Sequence, residues 1–218
     1  MVKSGRISIN GVCARDAAAH IDPTRDLVTC DGQKQDMKTD YHLMLYKPEG
    51  LLTAARDKKQ PTVFDLLPPL YRAAECMPIG RLDKDTTGLL LFTTDGQLNH
   101  LLLSPKRHVD KTYLAVLRDE LKSSDIAAFE QGLELSDFTA LPAKLEMLAP
   151  KQARITVHEG KFHQIKRMFE AIDNKVEILH REAFGGITLD TTLKKGEWRE
   201  LTEKELNLLR EKAATKHE

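Results

Sequence analysis

The chain has 218 residues, 41% hydrophobic and 30% charged, with 33 basic and 33 acidic side chains and a formal net charge of zero. That size accommodates one large domain, or a domain with a small appendage, around a substantial core. The balance excludes a uniformly basic nucleic-acid binder, and no apolar run approaches the roughly 18 residues of a membrane-spanning helix. The opening MVKSGRISIN lacks the apolar stretch of a secretory signal. Cys13, Cys30 and Cys76 are odd in number and contain no C-x-x-C pair. They argue against a disulfide framework or a zinc site and for a reducing, cytoplasmic setting.

In chain order, residues 6–12 (RISINGV) alternate around Asn10-Gly11, a two-residue hairpin signal. Residues 26–32 (DLVTCDG) predict a short strand ending in a turn. The polar stretch 33–40, with Met37 its only apolar residue, is the predicted linker. A strand begins at Tyr41 and stops at Pro48 and Gly50. Residues 61–69 (PTVFDLLPP) predict one helical turn closed by prolines. Leu89 to Phe92 predict a short buried strand, followed by a helix carrying Leu98, Leu101 and Leu102 and stopped by Pro105.

Residues 111–117 predict a strand, 123–132 a helix with a Ser cap and a terminal Gly, and 153–160 another strand. Phe162, Ile165, Met168, Phe169 and Ile172 recur at helical spacing, so this helix buries that stripe and turns Lys166 and Arg167 to its edges. Residues 175–189 return to strand, and Thr202-Glu203-Lys204-Glu205 is a capping box opening a C-terminal helix. The sum is an α+β chain rich in hairpins, without a βαβ rhythm.

Charge is sorted along the chain despite the zero sum. Residues 104–113 carry Lys106, Arg107 and Lys111 against Asp110, a net +2. Residues 158–168 carry Lys161, Lys166 and Arg167 against Glu159, again +2, while residues 118–149 carry a net −4. Local positive surfaces are therefore expected.

The most informative stretch is GRLDKDTTGLLLFTTDG, residues 80–96. Its polar cluster stands at the mouth of a core strand, where a scaffold holds side chains rigidly; its plain reading is a turn or a solvated loop. Asp83-Lys84-Asp85-Thr86 also has the D-x-D-x-T spacing of Mg²⁺-dependent phosphatases. Such a nucleophile ends a continuous apolar strand, however, and residues 77–81 are broken by Pro78 and Gly80. A glycosidase-like pair of Asp83 and Asp85 is a weaker signal.

Read at full length, G-R-L-D-x-x-T-x-G-L-L-L-x-T-x-D-G resembles the catalytic motif of the pseudouridine synthases that act on ribosomal RNA, in particular the RsuA branch. Residues 45–50 (LYKPEG), 111–114 (KTYL), 159–168 (EGKFHQIKRM) and the tail through His180-Arg181-Glu182 and Gly196-Glu197-Trp198 agree in order and spacing. The resemblance spans about residues 5–205.

The resemblance implies a pseudouridine synthase fold: a mostly antiparallel mixed sheet with flanking helices and an active-site cleft, over residues 41–218. Residues 1–40 would form a partial S4-like RNA-binding segment and linker. Residues 5–32 resemble the closing strands of that unit, and its two RNA-contacting helices are missing, either by truncation or because the native start lies upstream. The implied reaction is isomerisation of a uridine in 16S rRNA, free or in a small-subunit assembly intermediate, by a monomer without metal or organic cofactor.

Asp83 is the implied essential carboxylate, Tyr113 the residue that stacks on the base and passes a proton, and Lys166 the cation paired with Asp83. Arg81, Thr86, Lys106, Arg107, Lys161, His163, Gln164 and Arg167 are implied at the RNA, with Thr87 shaping the loop. The rival of another class is a non-catalytic ribosome assembly factor that kept the fold.

Overall fold

Asn10 and Gly11 both adopt left-handed backbone (φ +51° and +82°), the geometry a tight two-residue hairpin requires. They join β1 (Ile7–Ile9) to β2 (Val12–Cys13). Asp31 and Gly32 repeat the device between β3 (Val28–Cys30) and β4 (Gln33–Lys34). The four strands form one sheet in the order β2-β1-β3-β4. The computed structural model describes residues 1–22, 25–35 and 38–215 and divides into two units, Met1–Asp40 and Tyr41–Glu218. The expected linker therefore begins with a return strand, because Gln33 and Lys34 pair with Cys30 and Thr29. Asp36 and Met37 lie outside the described residues.

The second unit opens with β5 (His42–Lys47), a 3-10 turn at Val63–Leu66 and α1 (Pro69–Ala73). Next come β6 (Met77–Pro78), β7 (Thr87–Thr93), α2 (Gly96–Leu103) and β8 (Lys111–Leu117). Then follow α3 (Ser123–Gln131), the small pair β9 (Leu133–Glu134) and β10 (Thr139–Ala140), β11 (Lys144–Ala149) and β12 (Gln152–Val157). The chain ends through α4 (Gln164–Glu170), β13 (Val176–Phe184), β14 (Ile187–Thr188), β15 (Trp198–Glu200) and α5 (Glu203–Ala214). The main sheet runs β11-β12-β8-β13-β7-β5-β15, with β6 on β7 and β14 on β13. Its neighbours are antiparallel except β7 and β13, which run parallel.

β7 is apolar throughout because both its faces are covered. Leu90 and Phe92 join Leu43 and Leu45 of β5 against α3 and α4, through Phe129, Met168 and Phe169. Leu89 and Leu91 join Met44 on the other face, under Leu98 and Leu102 of α2 and Leu206 and Leu209 of α5. A strand buried on both faces reads as a continuous hydrophobic run rather than an alternation. Each such side chain contributes roughly 1.5–3 kcal/mol of burial.

Two expectations need correction. Ser123 does not cap α3; the Asp125 carboxylate instead accepts the Lys122 backbone N–H at 2.8 Å, closing the first turn from within. Phe162 does not join the buried stripe of α4, because the helix starts at Gln164 and Phe162 stays 71% exposed ahead of it. Ile165, Met168 and Phe169 are buried as expected.

Gly88 is required by the parallel pairing. It stands opposite Arg181 with φ +107°, and a Cβ there would run into the Arg181 backbone. Gly88→Ala should cost at least about 3 kcal/mol, a fall in Tm of roughly 6–12 °C for a domain of this size. An unchanged thermal melt would show that the strand pair has room.

Arg199 ties β15 to α5. Its guanidinium donates to Asp190 Oδ2 at 2.7 Å and to both Glu205 oxygens at 2.9 and 2.8 Å. Hydrogen bonds from Thr192 and Arg199 hold the Asp190 carboxyl at about 2. The Arg199 bonds, working against partial burial, hold Glu205 at about 2 as well. Both carboxyls are depressed below their ordinary value near ~4, so the stability they supply is complete above that value and is lost as pH falls toward 2. The stability gap between wild type and Arg199→Met, measured by urea denaturation, should be widest near neutrality and narrow steadily below about pH 4. A gap independent of pH would overturn this account.

Candidate active site

Residues 80–86 connect β6 to β7 without regular structure, yet four contacts fix them. The Lys47 ammonium, fully buried, donates to the backbone carbonyls of Pro48, Lys84 and Thr86 at 3.0, 3.3 and 2.9 Å. The Gly50 N–H donates to the Lys84 carbonyl at 2.7 Å. Thr53 Oγ1 donates to the Leu82 carbonyl at 2.8 Å and accepts the Leu82 N–H at 3.2 Å. The Asp83 carbonyl accepts the Thr86 N–H at 3.1 Å, closing a turn with Asp83 at its head. The Lys-Pro-Glu-Gly stretch after β5 is thus a clamp on this loop. Burial pushes the Lys47 ammonium down to about 8, with the Asp85 and Asp83 charges opposing that fall.

The loop lines a cleft of about 900 Å³ together with residues of β8, α4, β13 and the segment before α4. That volume is in the range of small-ligand sites. Asp83 is half-buried in it, with Lys166 Nζ 3.6 Å from Oδ2 and His163 Nε2 3.6 Å from Oδ1. Lys166 makes its close contact elsewhere, at 2.7 and 2.8 Å from the two oxygens of Asp85. Partial burial opposes ionisation of Asp85, but the Lys166 hydrogen bond and charge outweigh it and hold the carboxyl below the usual range. The two carboxylates therefore share an ammonium. Among the described residues no three His, Cys, Asp or Glu side chains are grouped as metal ligands.

Tyr113 stands on β8, 8% exposed, in register with Ile155 on one side and Arg181 on the other. Strand alternation sends Lys111 to the same face, so it enters the cleft rather than joining Lys106 and Arg107 on a surface patch. Its ammonium donates to the Val109 and His158 carbonyls at 3.0 and 3.3 Å, and burial, then the Arg181 charge, pushes it down to about 8. Arg181 is 1% exposed and donates through Nε to the Leu89 carbonyl at 2.6 Å. Its Nη2 is buried without a hydrogen-bond partner among the described residues, on a side chain that lines the cleft. A buried donor with nothing to bind is costly.

Of the residues singled out from sequence, Arg81, Asp83, Thr86, Tyr113, Lys161, His163, Gln164 and Lys166 line this cleft. Gln164 is an internal brace: its Nε2 donates to Glu159 at 2.7 Å and its Oε1 accepts the Lys161 N–H at 3.0 Å. Thr86 is buried beneath the loop, and the Thr87 hydroxyl bonds His180 Nδ1 at 2.8 Å. Lys106, Arg107 and Arg167 are absent from the lining. Lys106 is exposed, and Arg107 donates to the Ala214 carbonyl at 3.1 Å. Arg167 is held by Ser136 at 3.1 Å and by the Asp137 carboxylate, in the acidic stretch.

Arg181 and Lys111 are the cleft residues that sequence reasoning missed as site groups. For Arg181 the signal was a charged residue two positions after Leu179, on the same, buried side of the strand.

A family model described as RNA pseudouridylate synthase matches residues 41–171, the stretch that holds Asp83, Tyr113 and Lys166. A Bacillus subtilis (strain 168) protein named uncharacterized RNA pseudouridine synthase YtzG is 44% identical over 219 residues, covering 98% of this chain and 92% of its own. The ribosomal small subunit pseudouridine synthase A of Escherichia coli K12 is 40% identical over 207 residues, 94% of this chain and 89% of its own. The crystal structure of a pseudouridylate synthase superposes with a TM-score of 0.74 at 36% identity, covering 95% of this chain and 90% of the other. The fold, the cleft and near-full-length relatives agree: this chain belongs to the RNA pseudouridine synthase family, enzymes that isomerise uridine to pseudouridine in RNA.

Proposed function

We propose that the protein isomerises one uridine of small-subunit (16S) ribosomal RNA, with Asp83 as the essential carboxylate. The observation that carries this is Asp83 itself: a half-buried carboxylate on a clamped loop, in a cleft with room for an extruded nucleoside, flanked by Lys166 and His163. The 40% identity to a small-subunit synthase supports the choice of RNA.

The reaction conserves atoms. The bond from N1 of uracil to the sugar breaks, the base turns, C5 bonds to the sugar, and the proton lost from C5 is balanced by one gained at N1. A uridine in folded RNA must first be flipped out to reach Asp83. Asp83 then attacks the sugar or base or removes a sugar proton; both roles need a carboxylate at fixed distance, which the Lys47 clamp supplies. Lys166 Nζ and His163 Nε2, each 3.6 Å from one of its oxygens, set positive charge and N–H donors beside it. Tyr113 offers a ring face to the base and a hydroxyl for the proton. Arg181 lines the same cleft and adds positive charge there. Arg81 and Lys161 meet the RNA backbone.

The enzyme works in the cytoplasm as a monomer, without metal or organic cofactor, on rRNA or a small-subunit assembly intermediate. The sheet of residues 7–34 serves as an S4-like RNA-binding segment. The assembly-factor reading is disfavoured by the gathering of Asp83, Tyr113 and Lys166 in one cleft.

Asp83→Asn keeps shape and removes charge. It should fold, bind 16S rRNA comparably and yield no pseudouridine in a carbodiimide primer-extension assay. Asp85→Asn is not a neutral control, because it releases Lys166; it should lose activity in part, by about tenfold, a single hydrogen-bonded ion pair's worth. Full activity in Asp83→Asn would falsify the assignment.

Tyr113→Phe separates the two roles of the ring. If the hydroxyl moves a proton, kcat should fall by roughly 10² or more with KM little changed. Retention of most of the activity would reduce Tyr113 to a stacking surface.

A further inference from the structure

Phe162 has no use in the fold. It is 71% exposed, and no large apolar side chain of the described residues 41–215 is more so. Aromatic residues are only 6% of this chain, so an exposed one forgoes burial that the fold would otherwise collect. Its position is not accidental. Phe162 lines the reaction cleft, and its ring lies stacked on the His163 imidazole, centroids 3.8 Å apart and planes 19° from parallel.

The backbone is bent to make this stack. His163 adopts left-handed geometry at φ +49°, which a non-glycine side chain takes up at a cost. The bend turns the imidazole so that Nε2 lies 3.6 Å from Asp83 while its ring backs Phe162. One ring of the pair thus faces the carboxylate and the other faces solvent at the cleft mouth. Lys161 and Arg81 stand along the same lining and supply positive charge for a phosphate backbone.

We propose that Phe162 is a stacking platform for the unpaired nucleobase adjacent to the target uridine. The inference rests on the RNA-modifying reading above and names a contact which that reading lacks. Flipping a uridine into the cleft strips its neighbour of a stacking partner. An exposed aromatic ring, backed by an imidazole and set beside basic side chains, replaces that partner without reading sequence. The imidazole behind it fixes the ring's plane, so the platform is presented in one orientation.

The test uses the full chain, 16S rRNA, and a short single-stranded RNA with 2-aminopurine on either side of one uridine. The variants are Phe162→Ala, Phe162→Leu and Phe162→Trp. On rRNA, Phe162→Ala and Phe162→Leu should raise KM roughly 5- to 100-fold with kcat within about twofold, and Phe162→Trp should stay near wild type. Quenching of 2-aminopurine on binding should be present for wild type and Phe162→Trp and absent for the other two. All four proteins should melt together, because an exposed ring carries no core packing.

Wild-type KM and quenching in Phe162→Ala would overturn the proposal. So would full function in Phe162→Leu, since apolar bulk alone would then suffice, or a Tm loss that accounts for the defect. A wild-type protein that quenches through Phe162 but makes no pseudouridine in rRNA would sink the functional reading and leave the stacking contact standing.

Discussion

One buried ammonium organises this site. The Lys47 side chain leaves the end of β5, passes beneath the active loop and donates to three of the backbone carbonyls that frame it. A loop without secondary structure has carbonyls to satisfy, and a buried lysine has three donors to place; each solves the other's problem. The cost of desolvating the charge is visible in the lowered affinity of the Lys47 amine for its proton. Asp83 is rigid because of this arrangement. The same clamp explains why a Lys-Pro-Glu-Gly stretch far from the loop in sequence belongs to the site.

The site's electrostatics contrast with the neutrality of the whole chain. Lys47, Lys111 and Arg181 are all buried around the cleft, and Lys166 and His163 stand over Asp83. Burial first, and the Arg181 charge second, depress the Lys111 ammonium. Burying cations together is unfavourable unless something anionic or strongly accepting arrives. In the free protein Lys47 and Lys111 take backbone carbonyls as partners. Elsewhere the positive charge is spent internally: Arg167 is neutralised by Asp137, and Arg107 is tied to the end of α5. The basic segments seen along the chain therefore divide into cations of the cleft and cations of the scaffold.

Much was legible from residues alone. Asn10-Gly11 dictated a hairpin because few other pairs tolerate two consecutive left-handed residues. The run Leu89–Phe92 dictated a buried strand, and Thr202 marked a helix start through its side-chain oxygen. Asp83, Tyr113 and Lys166 were picked out by motif, and all three line one cleft. These signals are local or carried by an ordered string, which is why a single sequence reveals them.

Contacts between distant segments were settled only by the tertiary structure. The family resemblance implies Lys166 paired with Asp83, but the packing of α4 against the loop puts it closest to Asp85. Lys106, Lys111 and Arg107 look alike in a string; strand alternation in β8 buries one and leaves the others off the cleft. Phe162 fits a helical stripe by period, and the helix simply begins two residues too late to bury it. The sequence determined which elements form and which side chains are candidates for chemistry, because propensity and motif act over a few residues. Which charge meets which, and which ring is left exposed at the cleft, follow from strand register and helix placement, and these are decided by the whole core at once.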